Sequence, residues 1–83
     1  MIAPNILANL YSGMKNIREL FREAMENECK WSTPTFYRRI LNPQNNSTAE
    51  KEMMIKVARA RIVELLELID REDQNLKNYQ SLN

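Results

Sequence analysis

Histidine is absent from this 83-residue chain, and glycine and cysteine each occur once, as Gly13 and Cys29. Without histidine the chain lacks the commonest general base, the usual metal clusters, and any Ser-His or Cys-His nucleophile pair. One glycine rules out a Gly-rich phosphate loop, and one cysteine cannot form an internal disulfide. We therefore expect no enzymatic activity, no cofactor and no metal.

Long hydrophobic runs are also absent. Residues 1–14 lack the basic start and continuous apolar run of a secretory signal, and no window is apolar enough to span a bilayer. We therefore expect a cytoplasmic protein that makes no contact with a membrane.

The composition favours an all-α protein with a single domain over residues 1–83. Hydrophobic residues make up 43% of the chain and charged residues 28%, as in a soluble globular protein. Three prolines and one glycine leave few turn positions, while the abundant Leu, Glu, Lys, Arg, Met and Ala favour helix. A domain this small buries a modest fraction of its surface, so oligomerisation would add to its core.

Apolar residues spaced by three and four predict a first helix over about 5–28. Ser12 and Gly13 interrupt this pattern, and glycine within a helix costs roughly 0.5 to 1 kcal/mol relative to alanine. The segment is interpreted as two helices with a bend at Gly13, with one continuous helix as the alternative.

Two further helix starts carry clear capping signals. Ser32 followed by Pro34 predicts a short helix over 33–41, and Asn42-Pro43 ends it before a polar loop. Ser47 and Glu50 form a capping box, which starts a long helix over 47–70. Beyond it the apolar pattern is lost, so about 71–83 is expected to be a frayed tail.

The apolar stripe of the long helix is wider than one packing seam requires. Ile55, Ile62 and Ile69 recur on one side, and further apolar residues extend the stripe around the helix. A helix of this kind needs two partners. We expect one to be its own domain and the other to be a second copy of the chain, which gives a homodimer through this helix.

The short helix has an apolar side and a basic side. Trp31, Phe36 and Ile40 are expected to lie in the core, whereas Arg38 and Arg39 lie on the other side. Charge supports this division, because residues 29–61 contain seven basic and two acidic residues while the chain as a whole carries +1. Such a basic segment is typical of phosphate contact.

The segment WSTPTFYRRI, residues 31–40, resembles the turn and recognition helix of bacterial helix-turn-helix proteins, in particular the tetracycline-repressor family and some recombinase and transposon proteins. The resemblance covers ten residues. It implies a three- to four-helix domain with a supporting helix over 19–28, a recognition helix over 33–41 and a long C-terminal helix. It also implies that Tyr37 reaches a backbone phosphate of double-stranded DNA, and that Thr33, Thr35, Arg38 and Arg39 face the major groove or its rim.

The sequence departs from this family in two respects. Lys30 stands where the turn usually has glycine, and a non-glycine residue in a left-handed conformation is uncommon, so a longer or differently shaped turn is the alternative. The chain also has no residues for the ligand-binding domain of tetracycline repressors, so no small-molecule ligand is implied. We expect a small transcriptional regulator or an accessory protein of a mobile element. The alternative is a helical protein–protein interaction module that does not bind DNA.

Overall fold

The protein is described by a computed structural model that covers residues 3–81. In this range the chain forms three α-helices, α1 (Ile6–Cys29), α2 (Thr33–Leu41) and α3 (Thr48–Ser81), with one turn of 3₁₀ helix at Pro43–Asn45. The expected all-α fold with a long C-terminal helix is confirmed.

Helix α1 is continuous, so the predicted bend at Gly13 is wrong and the alternative is correct. The Asn5 side chain caps its N-terminus by accepting a hydrogen bond from the backbone N–H of Ala8 at 3.1 Å. A Cβ atom added at Gly13 would lie 2.0 Å from Cδ2 of Leu68. Glycine therefore serves here to let α1 and α3 approach each other closely.

The predicted start and end of α2 are confirmed. The Ser32 side chain accepts a hydrogen bond from the backbone N–H of Thr35 at 3.3 Å, and Pro34 lies in the first turn, where no backbone N–H is needed. At the other end the backbone N–H of Asn42 donates to the carbonyl of Arg38, and Pro43 then begins the 3₁₀ turn. The observed bounds of α2 are therefore those that the capping signals in the sequence predict.

The capping box at the start of α3 is also confirmed. The Ser47 backbone N–H donates to Oε1 of Glu50 at 2.8 Å, and the Glu50 backbone N–H donates to Oγ of Ser47 at 3.1 Å. These two bonds satisfy amides that the first turn leaves without intrahelical partners.

Helix α3 continues to Ser81, which corrects the expectation of a frayed tail for residues 71–81. Residues 82–83 of that expected tail lie outside the described residues. Glu72 is buried against α1, where its Oε1 accepts a hydrogen bond from Nδ2 of Asn9 at 3.1 Å. The apolar periodicity weakens here because a polar pair takes the place of an apolar contact.

Helices α1 and α3 form an antiparallel pair. Asn9 contacts Glu72 and Gly13 faces Leu68, so numbers that rise along α1 fall along α3. At 1.5 Å per residue, the 34 residues of α3 span about 51 Å, in agreement with the 56 × 20 × 17 Å dimensions of the molecule. The radius of gyration of 17.3 Å exceeds the value of about 12 Å expected for a compact domain of this length.

The fully buried core of this elongated pair is small. Among the described residues, Met25 and Val57 are the only hydrophobic side chains that are buried, and of these only Met25 is fully buried. Large apolar side chains are instead exposed on all three helices, and they include Leu7, Tyr11 and Met14 of α1, Ile40 and Leu41 of α2, and Ile55, Ile62, Val63 and Leu66 of α3. The hairpin thus leaves apolar surface that one copy of the chain does not cover.

The compact helix-turn-helix bundle is not confirmed. One helix, α1, precedes α2, and within residues 3–81 no Cα atom of α2 lies within 8 Å of a Cα atom of α3. An apolar crevice of about 240 Å³ separates α2 from α3, with Met25, Phe36, Ile40 and Met54 among its lining residues. Helix α2 is therefore held mainly by the end of α1.

Candidate nucleic-acid interface

The turn before α2 keeps a left-handed residue although glycine is absent. Lys30 has φ 59° and ψ 40°, and its backbone N–H donates to the carbonyl of Glu26. The Trp31 backbone N–H donates to the same carbonyl at 2.9 Å. These bonds close the C-terminus of α1 and offset a conformational cost of about 1–2 kcal/mol for a side chain in this region. The turn needs no extra length.

An aromatic cluster fixes α2 to α1. The ring of Phe36 packs edge-on against Phe21 at 6.5 Å between centroids and lies 6.4 Å from the ring of Trp31. Phe36 and Trp31 are half-buried, which agrees with their expected packing role. Ile40 is 61% exposed, so the prediction that it lies in the core is wrong. Its side chain faces the open crevice because α3 does not close over α2.

The two threonine hydroxyls at the start of α2 are used within the protein. Thr33 donates from Oγ1 to Oε1 of Glu26 at 2.9 Å, and Thr35 Oγ1 accepts a hydrogen bond from the Ser32 hydroxyl at 3.0 Å. Thr35 is also half-buried. These contacts stabilise the start of α2. The Thr33 hydroxyl cannot donate to a phosphate without giving up its bond to Glu26, and the Thr35 hydroxyl, which accepts from Ser32, is only partly accessible.

Arg39 links α2 to α3 and is only partly exposed. Its Nη1 donates to the carbonyl of Asn45 and lies 3.3 Å from Oε1 of Glu50, while its guanidinium lies 5.2 Å from the centroid of the Trp31 ring. Such a combination of ion pair and ring stacking suits the planar guanidinium. These contacts occupy the Arg39 guanidinium, so Arg39 would have to leave them to reach a DNA groove.

Tyr37 and Arg38 lie on the exposed side of α2. The Tyr37 ring packs edge-on against Phe36 at 5.4 Å, yet the residue remains 49% exposed. The Arg38 side chain is exposed and makes no hydrogen bond or ion pair within residues 3–81. Of the five DNA-contact residues expected from the sequence, these two keep free polar groups facing solvent.

Arg18 is a neighbour that sequence reasoning missed. It lies one turn before Phe21 on α1, and together with Tyr37 it lines a shallow crevice at the junction of α1 and α2. Arg18 is exposed and makes no ion pair in the described part of the chain. Its position one turn before an aromatic residue of the cluster is the sequence signal that could have identified it.

The next basic residue along α1, Arg22, is neutralised by its own helix. Its guanidinium lies 2.6 Å from Oε2 of Glu26 and 3.1 Å from Oε2 of Glu19. The hydrogen bond to Glu26 raises the pKa of Arg22. Burial raises the pKa of Glu26, but hydrogen bonds from Arg22 and Thr33 outweigh that effect and hold its pKa below the usual value. The acid-free character of residues 29–40 therefore does not extend to the surface around α2.

Cys29 has the surroundings of a structural residue. It is half-buried at the end of α1, and burial raises the pKa of its thiol. A raised pKa leaves little thiolate at neutral pH, which lowers reactivity. Within residues 3–81 no group of three potential metal-ligating side chains is close enough to hold an ion, and no helix there is long and apolar enough to cross a membrane.

Comparison of the chain with protein-family models, with curated proteins and with solved structures finds no match in any of the three. The candidate interface therefore consists of the groups that the fold leaves available around α2. These groups are the guanidinium of Arg18 on α1, and the phenol of Tyr37 and the guanidinium of Arg38 on α2.

Proposed function

We propose that the protein binds double-stranded DNA through the exposed side of α2, with Arg38 and Tyr37 from α2 and Arg18 from α1. The observation that carries this proposal is the free guanidinium of Arg38. Its neighbours Arg22 and Arg39 are both paired with carboxylates, whereas Arg38 is exposed and makes no such pair within residues 3–81.

The chemistry of these three side chains suits a phosphate backbone. Guanidinium groups bind phosphate oxygens with two parallel hydrogen bonds, and a tyrosine hydroxyl can donate to a third oxygen. The surface is small, so binding by one copy would be weak and mainly electrostatic. Control of transcription, or of the DNA of a mobile element, would follow from occupancy of a site.

The proposal is tested by fluorescence anisotropy with a labelled mixed-sequence duplex over a series of salt concentrations. We expect the native chain to bind more weakly as salt rises, and Arg38→Ala to reduce the slope of log K against log salt by about 0.9, which corresponds to one phosphate contact. Arg71→Ala is the matched control, since it removes an equal charge from an exposed position on the acidic half of α3. Salt-independent binding, or equal slopes for Arg38→Ala and the native chain, would contradict the proposal.

A helical protein–protein interaction module is the second candidate, and the exposed apolar side chains favour it. Ile55, Ile62 and Leu66 are 58%, 50% and 53% exposed and lie on one side of α3, and a contiguous exposed apolar patch of this kind marks an interaction site. This candidate predicts no salt-sensitive DNA binding by any variant. The anisotropy experiment therefore separates the two functions.

A further inference from the structure

Helix α3 carries an uncovered apolar stripe on the side that does not face α1. Ile55, Ile62 and Ile69 recur at steps of seven, and Ala58 and Leu66 lie between them on the same side. The three isoleucines and Leu66 are all exposed, and Ile62 is 50% exposed. Val57, by contrast, is buried because it lies on the side of α3 next to α1. The stripe has the seven-residue spacing with which one helix packs along another.

The apolar residues of the stripe are spaced symmetrically about Ile62. Ile55 and Ile69 lie seven residues on either side of it, and Ala58 and Leu66 lie four residues on either side. A second α3 placed antiparallel, with a two-fold axis at Ile62, would therefore pack isoleucine against isoleucine and alanine against leucine. A small residue opposite a large one lets two helices pack closely.

The charges of α3 favour the same antiparallel arrangement. Residues 48–61 contain four basic and two acidic residues, whereas residues 62–81 contain five acidic and two basic residues. In an antiparallel pair, the basic half of each α3 lies beside the acidic half of the other, whereas a parallel pair would place halves of the same charge together. At the ends of the stripe, Lys51 lies eleven residues before Ile62 and Asp73 eleven residues after it, so each Lys51 would meet Asp73 of the second copy.

We infer that the protein forms a homodimer in which the two α3 helices pack antiparallel along this stripe, with the two-fold axis at Ile62. Asp73 already lies 3.0 Å from Lys77 of its own helix. Both of these side chains are exposed, and an exposed ion pair of this kind contributes little stability. Asp73 can therefore exchange Lys77 for Lys51 of the second copy at small cost.

The same axis places other exposed apolar residues of the two copies at the same level along α3. Asn9 pairs with Glu72 and Gly13 with Leu68, so Leu7 lies at the same level along α3 as residue 74. Residue 74 follows Ile62 by twelve residues, and the two-fold axis places it at the level of Glu50 of the second copy, which precedes Ile62 by twelve. Arg39 joins α2 to Glu50, so the exposed Ile40 and Leu41 of one copy come level with Leu7 of the other. In the dimer, exposed apolar residues of α1 and α2 therefore lie at the same level along α3.

The arrangement also sets the spacing of the two α2 helices. Glu50, where α2 is joined to α3, precedes Ile62 by twelve residues, or about 18 Å of helix, so the two junctions lie about 36 Å apart along the α3 axis. This distance matches the 34–36 Å of one turn of B-DNA between half-sites. The match to DNA rests on the proposed function, whereas the dimer itself does not.

Cysteine cross-linking tests the arrangement directly. In a Cys29→Ala background, Ile62→Cys should form a disulfide-linked dimer under mild oxidation, because its two copies meet at the two-fold axis. Ile55→Cys and Ile69→Cys should each remain uncrosslinked alone and should cross-link when mixed. A cross-link in Ile55→Cys alone would indicate parallel helices and overturn the inference, as would the absence of cross-links in all three experiments.

Light scattering at micromolar concentration supplies an independent measurement on the unmodified chain. We expect a dimer mass for the native protein and for Ala60→Asp, and a dimer at least about tenfold weaker for Ile62→Asp, because a charge at the axis would be buried against its own copy. Ala60 is the control position, since it is exposed and lies two residues before Ile62, which places it on nearly the opposite side of α3 from the stripe. A monomeric native protein, or equal masses for the two variants, would overturn the inference. Anisotropy with the Ile62→Asp monomer then reports DNA binding separately, because its Arg38 is intact.

Discussion

The close approach of α1 and α3 at Gly13 makes a prediction whose magnitude follows from the structure. Alanine at position 13 would gain about 0.5–1 kcal/mol of helix stability relative to glycine. Its Cβ, however, would lie 2.0 Å from Cδ2 of Leu68, whereas two carbon atoms require about 3.5–4 Å. Leu68 must therefore leave its rotamer or the helices must separate.

These two effects oppose each other. An off-rotamer leucine costs about 0.5–1.5 kcal/mol, and overpacking costs about 1–3 kcal/mol. Gly13→Ala alone should therefore range from neutral to about 2 kcal/mol destabilising. In a Leu68→Ala background the clash is absent, and the same change should stabilise by the full helix gain of about 0.5–1 kcal/mol. The coupling free energy between the two positions should be about 0.5–3 kcal/mol.

Thermal and urea unfolding of the four proteins of this cycle, followed by circular dichroism, measure the coupling. For a domain of this size, 1 kcal/mol corresponds to a Tm shift of about 4–8 °C. All proteins are compared at one concentration, since association makes Tm depend on concentration. Ser12→Ala is the control, because Ser12 is exposed on the same helix and should act equally in both backgrounds. Equal stabilisation by Gly13→Ala with and without the Leu68 side chain would refute the close packing of α1 and α3 at Gly13.

Three further predictions concern α2 and the start of α3. Ser47→Ala should lower the free energy of unfolding by about 1 kcal/mol in urea titrations, because it removes the cap of α3. Arg39→Ala should release Trp31, seen as a red shift of its fluorescence emission, and Arg39→Lys should not restore the native emission, since an ammonium cannot reproduce the guanidinium contacts. The pKa of Glu50 lies below its usual value of 4.5, mainly because the Ser47 backbone N–H donates to the carboxylate. Its stabilising contribution is therefore present above the unfolded-state pKa and is lost as pH falls through the lower folded-state pKa, so Tm should drop below about pH 4.5 more steeply in the native chain than in Glu50→Gln.

Local chemistry explains why the sequence predicts the ends of α2 and the start of α3. Ser32 and Ser47 each satisfy amides within three residues of themselves, so their capping bonds need no knowledge of the tertiary fold. Gly13 is different, because its role depends on Leu68, which is 55 residues away in sequence and adjacent only after α1 and α3 pair. Helix propensity counts glycine as unfavourable and takes no account of the closer packing of α1 and α3 that Gly13 allows.

The same distinction separates the two arginines of α2. A helical wheel places Arg38 and Arg39 together on the polar side of α2. It cannot show that Arg39, but not Arg38, contacts Glu50 and the Asn45 carbonyl. The extension of α3 to Ser81 was missed for a similar reason. In the sequence, Glu72 interrupts the regular spacing of apolar residues. In the structure it is buried against α1, where Asn9 donates a hydrogen bond to its carboxylate.

Assembly and stability are linked in a molecule with so small a core. Full burial of an isoleucine contributes about 1.5–3 kcal/mol, so covering three roughly half-exposed isoleucines in each of two copies would contribute about 5–9 kcal/mol. Association itself costs about 4–15 kcal/mol in lost freedom of the two copies. The stripe of α3 alone would therefore about balance that cost, and the proposed dimer would need further burial at micromolar concentration, which the exposed apolar ends of α2 and α1 could supply. In the proposed dimer those ends come to the same level along α3 only when the two copies are antiparallel, so the arrangement that would allow this additional burial would also fix the distance between the two α2 helices.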